Sequence, residues 1–247
     1  MNQDQNQLST VFHVTHWKAG SQWLHRILRD IAPSRIVDPQ LFERQFLDTP
    51  LVTGAVYPTV YVTKEQFYSV NLPANYRKFV VIRDLRDTLV SAYFSIRYSH
   101  AIIHKSLAEW RQRLESISLE DGLLMLMEEW LPLSANIQRS WVDSGETFIR
   151  YEDLLHGDTE ILQDVLIRQC DIGVSQDTVE KIILKNRFEN LTNGRKPGDE
   201  DRMAHERKGI SGDWQNYFTP LVTDEFNRLF GRLLVETGYQ LAEPGIR

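Results

Sequence analysis

Hydrophobic residues along the chain alternate between two periods. Residues 10–15 (Thr-Val-Phe-His-Val-Thr), 56–63, 79–82 (Phe-Val-Val-Ile) and 147–150 are short runs rich in β-branched and aromatic side chains, which predict strands. Residues 79–82 are apolar at every position, as in a parallel strand covered on both faces. Pro58 predicts an edge or entry position for the second run. Between these runs apolar residues recur at helical spacing. The first set is Leu24, Ile27, Leu28 and Ile31, followed by residues 87–98, a long stretch over 119–141, then 159–169 and 176–185. A last stripe comprises Phe226, Leu229, Phe230, Leu233 and Leu234. Ser118 and Asp121 form a capping pattern ahead of the long stretch, and Pro132 should kink or split it. Thr219 and Pro220 predict an N-cap and a first helical residue, and Gly238 a stop. Residues 193–208 are polar and read as a surface loop.

Strands separated by helices predict an α/β fold, a central parallel sheet with right-handed crossovers and helices on both faces. Ligands of such folds sit beyond the carboxyl ends of the strands, so the loop after the first strand is the first place to look. With 247 residues, 42% of them hydrophobic and 25% charged, the chain is expected to form one domain over 1–247, with residues 1–9 a flexible polar N-terminus. That terminus has no basic segment followed by an apolar one, so no signal peptide is expected. No apolar window is long enough to predict a membrane span. A net charge of −6 argues against a nucleic-acid partner. Cys170 is the single cysteine; it reads as a core residue and fits a reducing, cytoplasmic compartment.

The loop after the first strand is Thr15-His16-Trp17-Lys18-Ala19-Gly20-Ser21-Gln22-Trp23, and it opens directly into a helix. A helix N-terminus offers unpaired N–H groups and a positive dipole end to an anion. Gly20 permits close backbone approach, Lys18 adds a point charge and Ser21 a hydroxyl donor. An ordinary polar turn with one solvated lysine fits the same residues equally well. The nucleotide-kinase P-loop, Gly-x-x-x-x-Gly-Lys-Ser/Thr, is a different order, because Lys18 precedes Gly20.

Three further stretches carry chemistry. Arg83 leaves the carboxyl end of the buried run 79–82 and Ser91 lies on the helix that follows, so the two could grip a phosphate. The plainer alternative is an ion pair of Arg83 with Asp84 or Asp87. Arg150-Tyr151-Glu152-Asp153-Leu154 follows the last predicted strand. The late stretch is Arg207-Lys208-Gly209-Ile210-Ser211-Gly212-Asp213-Trp214-Gln215-Asn216-Tyr217-Phe218-Thr219. It sets two cations beside a glycine, a combination suited to one phosphate. A charge pair in a surface loop explains the cations but not the residues after them.

In order and spacing these four stretches, spread over residues 15–219, resemble the PAPS-dependent sulfotransferase family of the cytosolic type. That family's first loop is typically Lys-Ser-Gly-Thr-Thr-Trp. Its second motif is Arg-x-Pro-x-Asp-x-x-x-Ser after a strand, with Leu85 here in place of the proline. A Tyr-Glu-Asp-Leu segment follows, and its late signature is Arg-Lys-Gly-x-x-Gly-Asp-Trp-Lys-Asn-x-Phe-Thr. The resemblance implies a three-layer P-loop-like fold. It implies transfer of the sulfuryl group of 3'-phosphoadenosine-5'-phosphosulfate (PAPS) to a hydroxyl or amine of a small-molecule acceptor, with no metal and no covalent intermediate. On that basis Lys18 stabilises charge on the leaving oxygen, while Ala19, Gly20, Ser21 and Gln22 hold the 5'-phosphosulfate. Arg83, Ser91, Arg207, Lys208 and Gly209 hold the 3'-phosphate, and Trp23, Tyr151 and Phe188 enclose the adenine.

The resemblance breaks at the base. Many cytosolic members carry Lys-Thr-His after the second strand; here the aligned residues are Val62-Thr63-Lys64, followed by Glu65, and no histidine lies between His25 and His100. Glu65 is the expected base, with Lys64, His16 and Asp38 as alternatives. The acceptor pocket is expected within 37–57 and 100–133, where Phe42, Phe46, Trp110, Met125, Met127 and Trp130 favour an apolar acceptor, although such residues on helices also build cores. The family's dimer segment, Lys-x-x-x-Thr-Val-x-x-x-Glu, is Gln215, Thr219, Pro220 and Asp224 here, which leaves the oligomeric state open. Two other functions fit part of the pattern: a nucleotide-binding module without turnover, and a nucleotide-dependent kinase of related fold.

Overall fold

The computed structural model describes residues 8–39, 45–102, 105–142 and 145–241. Residues 1–7 of the expected flexible terminus, Phe42 and the side chain of Phe46 lie outside the described residues. Four strands form one parallel sheet in the order β2-β1-β3-β4. They are β1 (Thr10–Val14), β2 (Val56–Val60), β3 (Tyr76–Ile82) and β4 (Ile149–Arg150). All residues of β1 and β2 are buried, and β3 is buried over its last four, where the sequence is apolar on both faces. β1 is central, so the loop leaving its carboxyl end is flanked by the ends of β2 and β3.

Ten helices surround the sheet among the described residues. They are α1 (Ser21–Ile31), α2 (Lys64–Phe67), α3 (Leu85–Phe94), α4 (Lys105–Glu115), α5 (Leu119–Glu129), α6 (Leu131–Val142), α7 (Tyr151–Gln163), α8 (Gln176–Lys185), α9 (Phe188–Leu191) and α10 (Pro220–Glu236). On one face α1 buries Leu24, Ile27 and Leu28 against Val11, Val56 and Val81, with Leu154 of α7 and Val179 of α8 closing the layer. Truncating Leu28 to alanine there should cost about 2–5 kcal/mol. On the other face Phe12, Val14, Val80 and Ile82 meet Phe67 of α2 and Ile137 and Trp141 of α6. A third cluster joins α3, α5, α6 and α10 through Leu89, Tyr93, Leu126, Met127, Ala135, Phe226 and Leu233. The result is the expected three-layer α/β arrangement. No helix among the described residues is long and apolar enough to cross a membrane.

The local signals act largely as read. The long pattern over 119–141 divides at Trp130, and Pro132 falls in the first turn of α6, where its missing N–H costs nothing. Ser118 and Thr219 cap α5 and α10 by accepting from the backbone N–H of Asp121 and Val222. Boundaries differ where tertiary context intervenes. The helix predicted over 87–98 begins at Leu85 under an Asp84 cap and ends in a π-helical turn, Ser95–Ser99. The pattern at 159–169 is the second half of a helix that already starts at Tyr151. Trp110, Met125, Met127 and Trp130, expected at the acceptor pocket, all belong to the third cluster, with Met127 fully buried. Cys170 is fully buried, and burial pushes its thiol up to about 12.

Candidate active site

The loop after β1 is held from both sides. Thr15 donates its N–H to Val60 O at 3.0 Å and its hydroxyl to Val81 O at 2.9 Å, tying together the ends of β1, β2 and β3. His16 Nδ1 bonds to Trp17 O at 3.0 Å, and its Nε2 accepts the Arg83 N–H at 3.3 Å. A carbonyl at Nδ1 and an N–H at Nε2 fix one neutral tautomer. Burial lowers the His16 pKa to about 4, outweighing the opposite pull of the Trp17 carbonyl and Gln138. His16 is therefore a bracket between the loop and β3, with neither nitrogen free for an acceptor's proton.

Beyond His16 the backbone turns left-handed at Lys18 (φ +67°) and again at Gly20 (φ +77°). A non-glycine residue in that region is held at a cost of about 1–3 kcal/mol. Gly20 is the N-cap of α1 and provides no side-chain bond, so the first-turn N–H groups face the loop without a side-chain partner. A Cβ on Gly20 would fall 2.6 Å from the Tyr151 ring, so only glycine fits. Lys18 is half-buried above this turn. Burial, and then the charges of Arg83 and Arg207, lower its pKa to about 8, against the pull of Glu206.

The four stretches meet around this loop. Arg83 donates from Nη1 to Lys18 O at 2.8 Å, and its guanidinium lies 4.6 Å from the centroid of the Tyr151 ring. Tyr151 stands edge-on to Trp23, centroids 6.3 Å apart. Gly209 (φ +65°) packs so closely on Phe188 that a Cβ would fall 2.5 Å from the ring. Lys208 Nζ donates to Asp213 Oδ1 at 2.6 Å, and Arg207 is hydrogen-bonded to both Asp213 and Glu200. Burial raises the Asp213 carboxyl, but the bonds from Lys208 and Arg207 outweigh it and hold the group below its usual range. Two donors here, Arg83 Nε and Trp23 Nε1, are buried without a hydrogen-bond partner. Such orphans are costly, and a set of cations around them favours an anionic, hydrogen-bonding ligand.

Two residues of this arrangement, Arg86 and Tyr61, were not singled out from the sequence, and a third, Asp87, was named there only as a possible ion-pair partner of Arg83. Asp87 accepts the N–H groups of Gly212 (2.6 Å) and Trp214 (3.0 Å), so α3 carries the loop that holds Arg207 and Lys208. Arg86 covers Trp214 from 4.0 Å. Their spacing from Arg83 was visible, but their partner lies far along the chain. Tyr61 donates its hydroxyl to Ser21 Oγ at 2.7 Å and packs on Trp17, centroids 4.8 Å apart. With its oxygen accepting from Tyr61, the Ser21 hydroxyl hydrogen is left to donate to a ligand. Ala19 is buried and Gln22 exposed. Ser91 is half-buried on α3, with no described side-chain contact to Arg83 or Arg207.

The residues expected to act as base are not gathered in the same way. Glu65 is exposed in the first turn of α2; its own backbone N–H and Thr63 hold its carboxyl below the usual range, which weakens it as a base. Lys64 faces Glu146, Nζ to Oε1 3.9 Å, while its backbone N–H bonds to Ser140. Asp38 pairs with Arg29 at 3.2 Å on the exposed side of α1. None of these described contacts reaches Lys18.

A model of the sulfotransferase domain matches residues 8–238. The chain is 24% identical to sulfotransferase 1 family member D1 of Mus musculus over 247 residues, covering 86% of this chain and 79% of that protein. It is 30% identical to sulfotransferase 1E1 of Cavia porcellus over 120 residues, covering 42% of this chain and 39% of that one. Among solved structures the fold is similar to mouse sulfotransferase SULT7A1 complexed with PAP, with a TM-score of 0.64, 21% identity, and 93% and 86% of the two chains covered. It is also similar to retinol dehydratase in a complex with retinol and PAP, with a TM-score of 0.56, 15% identity, and 95% and 83% covered. A parallel sheet whose central strand feeds a lysine–glycine–serine turn, matched by a family model over nearly its whole length, places this chain in the sulfotransferase domain family.

Proposed function

We propose that the chain binds PAPS at the loop after β1 and transfers its sulfuryl group to a hydroxyl or amine of a small-molecule acceptor. The observation that carries this reading is the approach of Arg83 and Arg207 to Lys18 at one left-handed turn, with Lys208 tied to Arg207 through Asp213 and with Arg83 Nε and Trp23 Nε1 buried and unpaired. These are the groups a nucleotide with two separate anionic ends requires. PAP in the structures of similar fold supports the same reading.

When bound, PAPS supplies the activated sulfuryl group. The first-turn N–H groups of α1 and the Ser21 hydroxyl hold the 5' end, and the positive φ at Gly20 lets the backbone approach it. Arg83, Arg207 and Lys208, with the backbone at Gly209, hold the 3' end, and Ser91 lies on the same helix as Asp87 to complete that side. Asp213 and Asp87 fix the two cationic side chains and their loop before any ligand arrives, which lowers the cost of ordering them. Trp23, Tyr151 and Phe188 present aromatic surfaces for the adenine. Lys18 opposes charge that grows on the leaving oxygen, an interaction stronger in the transition state than before it.

Transfer of labelled sulfate from PAPS to a panel of phenols, alcohols, amines and sugars tests the reading. Label in an acceptor is expected; PAP binding with no product across the panel would instead make the chain a binding module.

A further inference from the structure

Resting on that reading, the stretch that carries Arg207 and Lys208 must have its backbone aimed as well as its side chains. The segment that does this starts at α9, which is followed by two left-handed residues, Asn193 (φ +55°) and Gly194 (φ +93°). Asn and Gly tolerate that conformation best. Gly194 N–H bonds back to Glu189 O at 2.8 Å, and Thr192 Oγ1 donates to Phe188 O at 2.7 Å. The reversal returns Arg195 to the first residue of α9, with its guanidinium 5.2 Å from the centroid of the Phe188 ring.

All the described hydrogen bonds of that guanidinium go to backbone carbonyls. Nη2 donates to Glu206 O at 2.7 Å, and Nη1 to Arg207 O at 3.0 Å and Asp199 O at 3.2 Å. Two backbone bonds continue the same edge, Asp201 N–H to Arg207 O (2.9 Å) and Gly198 N–H to Lys208 O (2.8 Å). The carbonyls of Glu206, Arg207 and Lys208 therefore all face residues 195–201. On the far side of the stretch the Glu206 carboxylate pairs with Arg26 of α1 at 2.7 Å.

A planar trans peptide sets each N–H opposite the preceding C=O. The N–H groups of Arg207, Lys208 and Gly209 are thus turned away from residues 195–201, and none of the three meets an acceptor among the described contacts. Gly209 is left-handed (φ +65°), the conformation in which successive N–H groups can converge on one anion. It also packs directly on the Phe188 ring.

We propose that Arg195 is a positioning residue for the 3'-phosphate. Its fork holds the carbonyls of Glu206 and Arg207, which turns the row of N–H groups at Arg207, Lys208 and Gly209 to the phosphate. Its packing on Phe188 keeps that row in register with the adenine ring. The role belongs to the planar fork and not to the charge alone: a lysine ammonium is a point charge on a flexible stem and does not reproduce the fan of three bonds.

Calorimetry of the full chain with adenosine 3',5'-bisphosphate and with adenosine 5'-phosphate tests the proposal. Arg195→Met keeps apolar packing on Phe188 and removes the donors. It should weaken the bisphosphate about tenfold or more and change the 5'-phosphate by less than about twofold. Arg195→Lys should fall between Arg195→Met and the wild type. A general loss of fold lowers both affinities together and leaves their ratio unmoved, so the ratio is the readout, and an unchanged ratio overturns the proposal. Amide NMR of the wild type supplies a measurement independent of any variant. The Arg207, Lys208 and Gly209 N–H signals should shift with the bisphosphate and stay near their free positions with the 5'-phosphate; equal responses to both overturn the proposal. A wild type that does not bind the bisphosphate contradicts the sulfotransferase reading itself, which separates the two failures.

Discussion

On the proposed donor side, residues from four distant stretches touch one another: Arg83 bonds to the Lys18 carbonyl, Tyr151 packs on Gly20, and Phe188 packs on Gly209. Among the residues expected as base, Lys64, Glu65 and Asp38 each engage a local partner and meet at no shared centre in the described contacts. The donor cradle is over-determined by charge, backbone conformation and ring packing together. A common co-substrate demands a fixed cradle, while an acceptor-specific surface does not.

Substitutions on the two sides should therefore differ in size and in kind. Lys18→Met should lower turnover by about a hundred- to a thousandfold with PAP affinity largely kept; steady-state kinetics beside calorimetry checks this, and equal loss of both would erase the transition-state role. Removing one 3'-side cation, by Arg83→Met or Arg207→Met, should cost about 1.5–3 kcal/mol of PAP binding, with little effect on a nucleotide lacking the 3'-phosphate. Asp87→Asn weakens the grip of α3 on the Gly212 and Trp214 N–H groups, and should lower PAP affinity by less than loss of a cation does. Glu65→Gln should be the smallest effect, leaving kcat/KM nearly unchanged; a large loss would return Glu65 to the role of base.

A pH dependence sharpens the same contrast. Burial and the neighbouring arginines bring Lys18 down to about 8, so its cation is lost as pH rises through that value in the free enzyme. Since the charged form is the stabilising one, kcat/KM for PAPS should fall on the alkaline side near pH 8. Lys18→Met should remove that limb.

How much was legible in the sequence follows from the same division. The strands showed as β-branched runs, and Pro132 and Thr219 marked helix ends, because those signals are local. Lys18 and Gly20 were legible because they stand together in one contiguous loop, and Arg207 because it stands beside Lys208 and Gly209 in another; each stretch has certain residue types at fixed spacing. The ties of Asp87 to Gly212 and Trp214 and of Tyr61 to Ser21 were missed, since these partners are adjacent only after folding. Trp110, Met125, Met127 and Trp130 fitted both a pocket and a core by sequence, and in the structure Met127 belongs to the helical core while the other three pack against it.

The most direct measurement is calorimetry of the wild-type chain with adenosine 3',5'-bisphosphate and, separately, with ATP. The 3',5'-bisphosphate should bind at least about tenfold more tightly, since ATP leaves Arg207 and Lys208 without a phosphate. ATP binding as tight or tighter, or no binding of the bisphosphate, would contradict the donor site proposed around Lys18.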